Sequence, residues 1–294
     1  MPKSSSRITK IHVNNYSQNT VIAKGLPKSY LGDLYYTFLN RSWIFLFSFV
    51  VFAFLCVNFI FAVLFYLGRD SIGNATENSL TDAFFFSVQT FATIGYGHFY
   101  PKTLFANILV TCESFLGLVG IAVVTGLTFA KFSKPRARVI FSDCAVVSPH
   151  DGVPTLMFRI ANQRANQIAE ASLNMCYIKR QKTLEGQPFN KMIDLDMVRT
   201  KSPMFTLTWT ALHILDEKSP IFHAIHNSQN YAGDFIVCSL TGQDATTGQT
   251  IHARHYYQLK DVKIGHNFKN IFSVNSEGIS TIDYNQFHAT EENL

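Results

Sequence analysis

The pentapeptide Thr93-Ile94-Gly95-Tyr96-Gly97 places two glycines around a tyrosine directly after an apolar run, within "VQTFATIGYGHFYP", Val88 to Pro101. Backbone carbonyls, joined by the Thr93 hydroxyl, can replace the hydration shell of a bare cation if they all point one way. Extended backbone turns successive carbonyls to opposite sides, so the arrangement needs residues that reach φ > 0, which Gly95 and Gly97 supply. One such strand cannot surround an ion. A symmetric ring of four can, which makes a closed homotetramer part of the expectation.

Elements that hold irregular backbone of this kind must satisfy its polar groups. The chain is 47% hydrophobic and only 15% charged, against about a quarter charged in ordinary soluble domains. Trp43 to Leu67 is 25 residues without a charge, enough at ~1.5 Å per residue to cross a ~30 Å hydrocarbon core. It is too long and too far from the N-terminus for a signal peptide. A second span runs from about Leu104 to Phe132, with Glu113 as the charge in its interior. Between them "SLTDAFFFSVQTFA", Ser79 to Ala92, begins with the capping residues Ser79, Thr81 and Asp82 and continues as an apolar helix too short to cross. It must enter and stop, with its negative dipole end toward the loop that follows. Non-helical backbone at that depth is tolerated where it lines a watery path. The pattern predicts a pore, with potassium bound at Thr93, Ile94, Gly95 and Tyr96.

Charge and cysteine usage narrow the partners. Residues 1–138 hold 12 Lys and Arg against 5 Asp and Glu, and residues 139–294 hold 13 against 15. The basic residues flank the spans while the connecting loop carries only Arg69 and Lys102, which puts both termini in the cytoplasm and the loop outside. Anionic lipid headgroups therefore account for the basic clusters better than nucleic acid does. Lys131, Lys134, Arg136 and Arg138 are the candidate lipid-binding residues. Cysteines 56, 112, 144, 176 and 238 show no C-x-x-C or zinc spacing, so buried thiols and no resident metal are expected. "HARH", His252 to His255, reads as a strand, where positions three apart face opposite sides, and not as a metal pair. Asn74-Ala75-Thr76 fits a glycosylation sequon.

From Val139 onward, segments such as "TLMFRIAN", "ASLNMCYIKR" and "DFIVCSLTG" alternate with turn clusters such as "SPHDGVP" and "LEGQPFN", the spacing of an all-β sandwich. Before the first span, Leu31, Leu34, Tyr35, Phe38 and Leu39 share one helical face, as an interfacial amphipathic helix requires. The expected organisation is residues 1–41 as a cytoplasmic N-terminus with this helix, 42–132 as the transmembrane pore domain, 133–138 as a basic linker and 139–294 as a cytoplasmic β-sandwich. In the second span Gly117, Ile121, Thr125 and Phe129 fall on one face. If it lines the cavity, four Phe129 rings close the path by excluding water.

"AFFFSVQTFATIGYG" matches the potassium-channel pore signature, and "AKFSKPRARVIFS", "GVPTLMFRIANQR", "FTLTWTALHILDEKSPIF" and "HARHYY" resemble inward-rectifier potassium channels, the prokaryotic branch above all. The resemblance spans roughly residues 28 to 285. It implies a tetrameric two-span pore on a cytoplasmic immunoglobulin-like β-sandwich, an N-terminal slide helix, a bundle-crossing gate at Phe129 and regulation by anionic lipid. It further implies block by cations such as barium, magnesium and polyamines, with Asp261 at an acidic position of the cytoplasmic pore. The chain departs from the family in three places. Ile121 stands where many members have a cavity acid, and Gln89 and Phe99 stand where eukaryotic members have a Glu and Arg pair bracing the filter. His98, directly after the filter, would gain charge in mildly acidic surroundings and oppose cation entry. Glu113 is a functional-site candidate by position, expected behind or just below the filter, either attracting cations or hydrogen-bonding the pore helix. Alternative readings are a two-span potassium channel of another type, or a membrane-anchored sensor or adhesion protein with an immunoglobulin-like domain. No phosphate loop, H-E-x-x-H or nucleophile elbow supports an enzyme.

Overall fold

The computed structural model describes residues 9–12, 20–23, 30–135, 137–164, 166–226 and 233–293. Two strands, β1 (Thr9–His12) and β2 (Thr20–Ala23), pair antiparallel. Helix α1 (Tyr30–Asn40) occupies the amphipathic stretch. It is followed by α2 (Trp43–Leu67), strand β3 (Ile72–Gly73), α3 (Leu80–Phe91), strand β4 (Tyr100–Pro101) and α4 (Leu104–Phe132). Helices α1 to α4 form one unit, and β1, β2 and everything from Pro135 onward form a second.

The three longer helices of the first unit start by one local rule. A hydroxyl at the N-cap accepts the backbone N–H three residues on: Ser42 from Phe45 at 3.2 Å, Ser79 from Asp82 at 3.1 Å and Thr103 from Ala106 at 3.1 Å. Each bond satisfies one of the donors that a helix start leaves unpaired. Only 17% of the most apolar window of α2 and 11% of that of α4 is buried. A core helix of a soluble protein hides most of such a stretch, whereas these two turn their apolar surface outward, as a membrane span does. What is buried forms a cluster of Phe61, Ala62, Phe65, Ile72, Ala83, Phe86 and Ala106, which joins α3 to both spans. Phe65 and Phe86 meet edge to face at 5.0 Å. Past α3 the chain returns through β4, which pairs with β3 and closes the segment between α2 and α4.

The second unit is a sandwich of two five-stranded sheets. Its strands are β5 (Val139–Phe141), β6 (Val146–His150), β7 (Val153–Asn162), β8 (Ile168–Lys182), β9 (Pro188–Asp194), β10 (Lys201–Phe205) and β11 (Thr208–Ile214). After them come β12 (Phe235–Asp244), β13 (Thr250–Gln258) and β14 (Lys263–Ile264). One sheet runs β10-β8-β12-β13 with β9 on β8, and the other runs β11-β7-β6-β14 with β5 on β7. Strand β12 shows the period-two burial of a sheet with one face inward: Ile236, Cys238 and Leu240 are buried and the residues between them half-buried. They pack with Phe158, Ile160, Leu173, Tyr177 and Trp209 from both sheets. Asp234 ties the rim, accepting the Tyr177 hydroxyl at 2.6 Å and the Arg180 N–H at 2.8 Å.

Candidate functional site

Thr93, Gly95 and Gly97 all have positive φ, at +57°, +59° and +82°. Reversing every second residue in this way undoes the alternation of extended backbone and brings successive carbonyls to one side. Glycine accepts this geometry freely, but a β-branched threonine does not. Thr93 is thus a strained residue at the centre of the site, and its type alone did not reveal it. The amides face away from the carbonyls: Thr93 N–H donates to the Thr90 carbonyl at 3.1 Å, and Ile94 N–H to the Gln89 carbonyl at 2.8 Å. These acceptors are unpaired carbonyls at the end of α3, so the helix terminus holds the strand and leaves its oxygens available. Residues 93–97 are exposed in the single chain, Tyr96 at 75%, and nothing lies within 4 Å of a side-chain position at Gly95 or Gly97.

Behind this strand, α4 approaches α3 closely. A Cβ at Gly117 would lie 2.4 Å from the Phe91 carbonyl, so Gly117 allows close backbone approach and faces α3. One turn earlier on α4, Glu113 is fully buried and contacts Ser87 of α3 through a short hydrogen bond between Oε1 and the hydroxyl. Ser87 also lies 3.1 Å from Oδ1 of Asn58 on α2, whose amide donates to the Phe54 carbonyl at 2.7 Å. Glu113 thus hydrogen-bonds to α3. Asn58 and Ser87 escaped the sequence reading. The signal was present: an asparagine inside an otherwise apolar span marks an internal partner as much as a charge does.

Around the mouth, the His98 carbonyl accepts from the Asn74 amide at 2.9 Å, and the exposed His98 ring lies 4.9 Å from that of Phe99. The amide of the sequon asparagine is therefore engaged in a bond within the loop. Gln89 contributes its backbone carbonyl to the strand, and Phe99 packs against the apolar cluster beneath the loop. On α4, Ile121, Thr125 and Phe129 are exposed in the single chain, Phe129 at 71%.

The basic residues separate into different roles. Lys131 is 5% exposed, and its ammonium donates to the carbonyls of Phe38 and Arg41, both at 2.6 Å, while lying 5.4 Å over the Trp43 ring. It closes the C-terminal end of α1, where carbonyls lack partners and the helix dipole is negative. The ammonium is thus engaged by groups of α1 and α2 and the turn between them. Lys134, exposed, contacts Oδ1 of Asn40. Arg138 is exposed, and Arg136 lies outside the described residues. Asp261 is exposed at the end of the 3-10 turn Leu259–Asp261. On β13, His252 meets the Thr241 hydroxyl at 3.2 Å, whereas His255 stacks on Phe141 at 5.3 Å. The expected burial of the thiols holds for Cys144 and Cys238, but Cys112 is exposed, because its face of α4 points outward.

Two long apolar helices with a shorter helix and a strand of alternating positive φ between them, followed in sequence by a β-sandwich, define the class. Residues 44–134 match the ion channel family, and residues 139–293 match the inward rectifier potassium channel C-terminal domain. The chain belongs to the inward rectifier potassium channels. It is 37% identical over 278 residues to inward rectifier potassium channel Kirbac3.1 of Paramagnetospirillum magnetotacticum, covering 94% of each chain. It is also 34% identical over 286 residues to the G protein-activated inward rectifier potassium channel 1 of Homo sapiens, covering 90% of this chain and 57% of that protein. A membrane-embedded ion channel, not an enzyme, is the class these relatives share with it.

Proposed function

We propose that the chain forms a homotetrameric potassium channel of the cell membrane, with both termini in the cytoplasm. In this reading Thr93 to Gly97 of four copies form the filter, and potassium sits among the carbonyls of Thr93, Ile94, Gly95 and Tyr96 and the Thr93 hydroxyl. The observation that carries it is the alternation of positive φ at Thr93, Gly95 and Gly97, combined with amides that bond back to the pore helix. The exposure of Tyr96 and Ile94 in one chain is the surface that three further copies would cover. Phe129 closes the path below Ile121 and Thr125, where exposed apolar side chains would exclude water from a narrow conduit. Ile121 leaves the cavity without an acid, so strong block by magnesium or polyamines at that level is not expected, while Asp261 offers a weaker site. Lys134, Arg136 and Arg138 are the residues proposed to meet anionic headgroups, with Lys131 serving the helix junction.

The decisive test compares potassium and sodium flux in liposomes, with and without barium, for the parent and Gly95→Ala. The parent is expected to pass potassium in strong preference and to be blocked by barium. Within one chain nothing lies within 4 Å of the added methyl group, and holding alanine at this φ costs about 1 to 2 kcal/mol per chain. That strain should flip carbonyls and erode the preference. Equal potassium and sodium flux in the parent would remove the reading.

A further inference from the structure

Asn58, Ser87 and Glu113 come one each from α2, α3 and α4, and each is 0% exposed. The Ser87 hydroxyl touches two oxygens, Glu113 Oε1 and, at 3.1 Å, Asn58 Oδ1. A serine hydroxyl carries one hydrogen, whereas an amide oxygen and an ionised carboxylate only accept. With Glu113 ionised, two acceptors share a single hydrogen, and one close oxygen–oxygen contact is left with none between its atoms. Turning the Asn58 amide over does not help. Its oxygen would then face the Phe54 carbonyl, now 2.7 Å from the amide nitrogen, setting acceptor against acceptor. With Glu113 protonated, every contact holds one hydrogen.

The side chains around the carboxyl agree. Among the described residues Glu113 forms no ion pair, and its Oε2 has no hydrogen-bond partner. The other titratable groups on the three packed helices are Cys56, Tyr66, Asp82, Cys112 and Lys131. None of them hydrogen-bonds to Glu113 in this structure, and the ammonium of Lys131 is committed to Phe38 and Arg41. A buried charge with neither counter-ion nor a full set of donors is the costliest state for this group.

We propose that Glu113 is held protonated and heads a one-way donor chain, Glu113 to Ser87 to Asn58 to the Phe54 carbonyl, that ties α4, α3 and α2 together. Glu113 is then a positioning residue. It fixes Ser87 and, through the same helix, the Gln89 and Thr90 carbonyls that receive the amides of the strand. The effect runs through a hydrogen bond and not through a charge near the ion path.

The direct test is infrared difference spectroscopy of the full-length parent and Glu113→Gln in liposomes at neutral pH. The expected result is a protonated carboxylic-acid carbonyl band in the parent that is missing from the variant. Carboxylate bands alone at this position would overturn the proposal. This readout does not depend on ion flux, so it separates failure of the donor chain from failure of the channel reading on which its consequence rests. The second arm is rescue of potassium flux. Glu113→Ala, which removes the donor, is expected to lose about tenfold, the equivalent of one lost buried hydrogen bond per site, and Glu113→Gln, which keeps an N–H donor, to recover most of it. A Gln variant as impaired as the Ala variant would show that the acid acts by charge and overturn the proposal.

Discussion

Thr93 shows how much a single residue can be asked to do. Its hydroxyl is the only side-chain oxygen among the five residues of the filter strand that points to the ion path in the proposed function, yet its backbone sits at φ +57°, which its branched side chain disfavours by about 1 to 3 kcal/mol. The Thr90 and Gln89 carbonyls, which hold the amides on either side, offset that strain. At His98 the backbone carbonyl is tied to the Asn74 amide while the ring is exposed.

At the scale of elements, the buried link between the end of α1 and α4 is the Lys131 ammonium. Lys131 is buried and bonds to two carbonyls at the end of α1, so Lys131→Met leaves both unpaired. The expected cost is about 1 to 3 kcal/mol, seen as a lower midpoint of thermal unfolding, and altered open probability if α1 and the gate move together. Lys134→Met, by comparison, removes an exposed contact to Asn40 and should barely move the midpoint. Both changes remove one positive charge, so a charge effect on lipid binding would appear in both, and a helix-junction effect in Lys131→Met alone. The three N-caps, by contrast, are local devices; the sequence marks Ser79, whereas Ser42 and Thr103 are identified by their bonds in the structure.

For the whole molecule, two conditions should govern stability and opening. In the sandwich, His213 is 3% exposed; its Nδ1 lies 2.5 Å from the Asp196 carbonyl and its Nε2 2.8 Å from the Ser219 hydroxyl. Both bonds suit a neutral ring, and burial holds its pKa below the usual histidine range, partly offset by the Asp196 carbonyl. Burial lowers the pKa of His255 likewise. A pKa depressed on folding means that the unfolded chain takes up the proton first. Stability is therefore at its full value above the unfolded pKa of about 6.5 and falls, by at most ~1.4 kcal/mol per pH unit for each group, as pH drops toward the folded value. Unfolding midpoints of the full chain measured across this window should slope downward toward acid, and His213→Gln should flatten part of the slope. The second condition is the membrane itself. Raising the fraction of anionic lipid in liposomes is expected to change potassium flux, and the change should shrink when Arg136 and Arg138 are replaced by Gln. A response that is the same in parent and variant would place the lipid contact elsewhere.

Composition and spacing alone determined the two long apolar helices, the short helix between them and the β-rich remainder, and they marked Thr93 to Gly97 as the candidate filter. Each of these rests on local pattern: uncharged length, capping hydroxyls, glycine placement and alternation along a strand. The tertiary structure decided what depends on residues distant in sequence. Ser87 could be paired with Asn58 and Glu113 only by packing α3 between the spans, because neighbours at separations of 29 and 26 residues leave no periodic trace. Lys131 reads as one of four basic residues in a row of similar ones, and only the position of α1 gives it the carbonyls of Phe38 and Arg41. Thr93 in its left-handed conformation lay beyond the sequence for a related reason. Nothing in a threonine favours that backbone, and only the end of α3, by taking up the amides around it, makes it the stable choice.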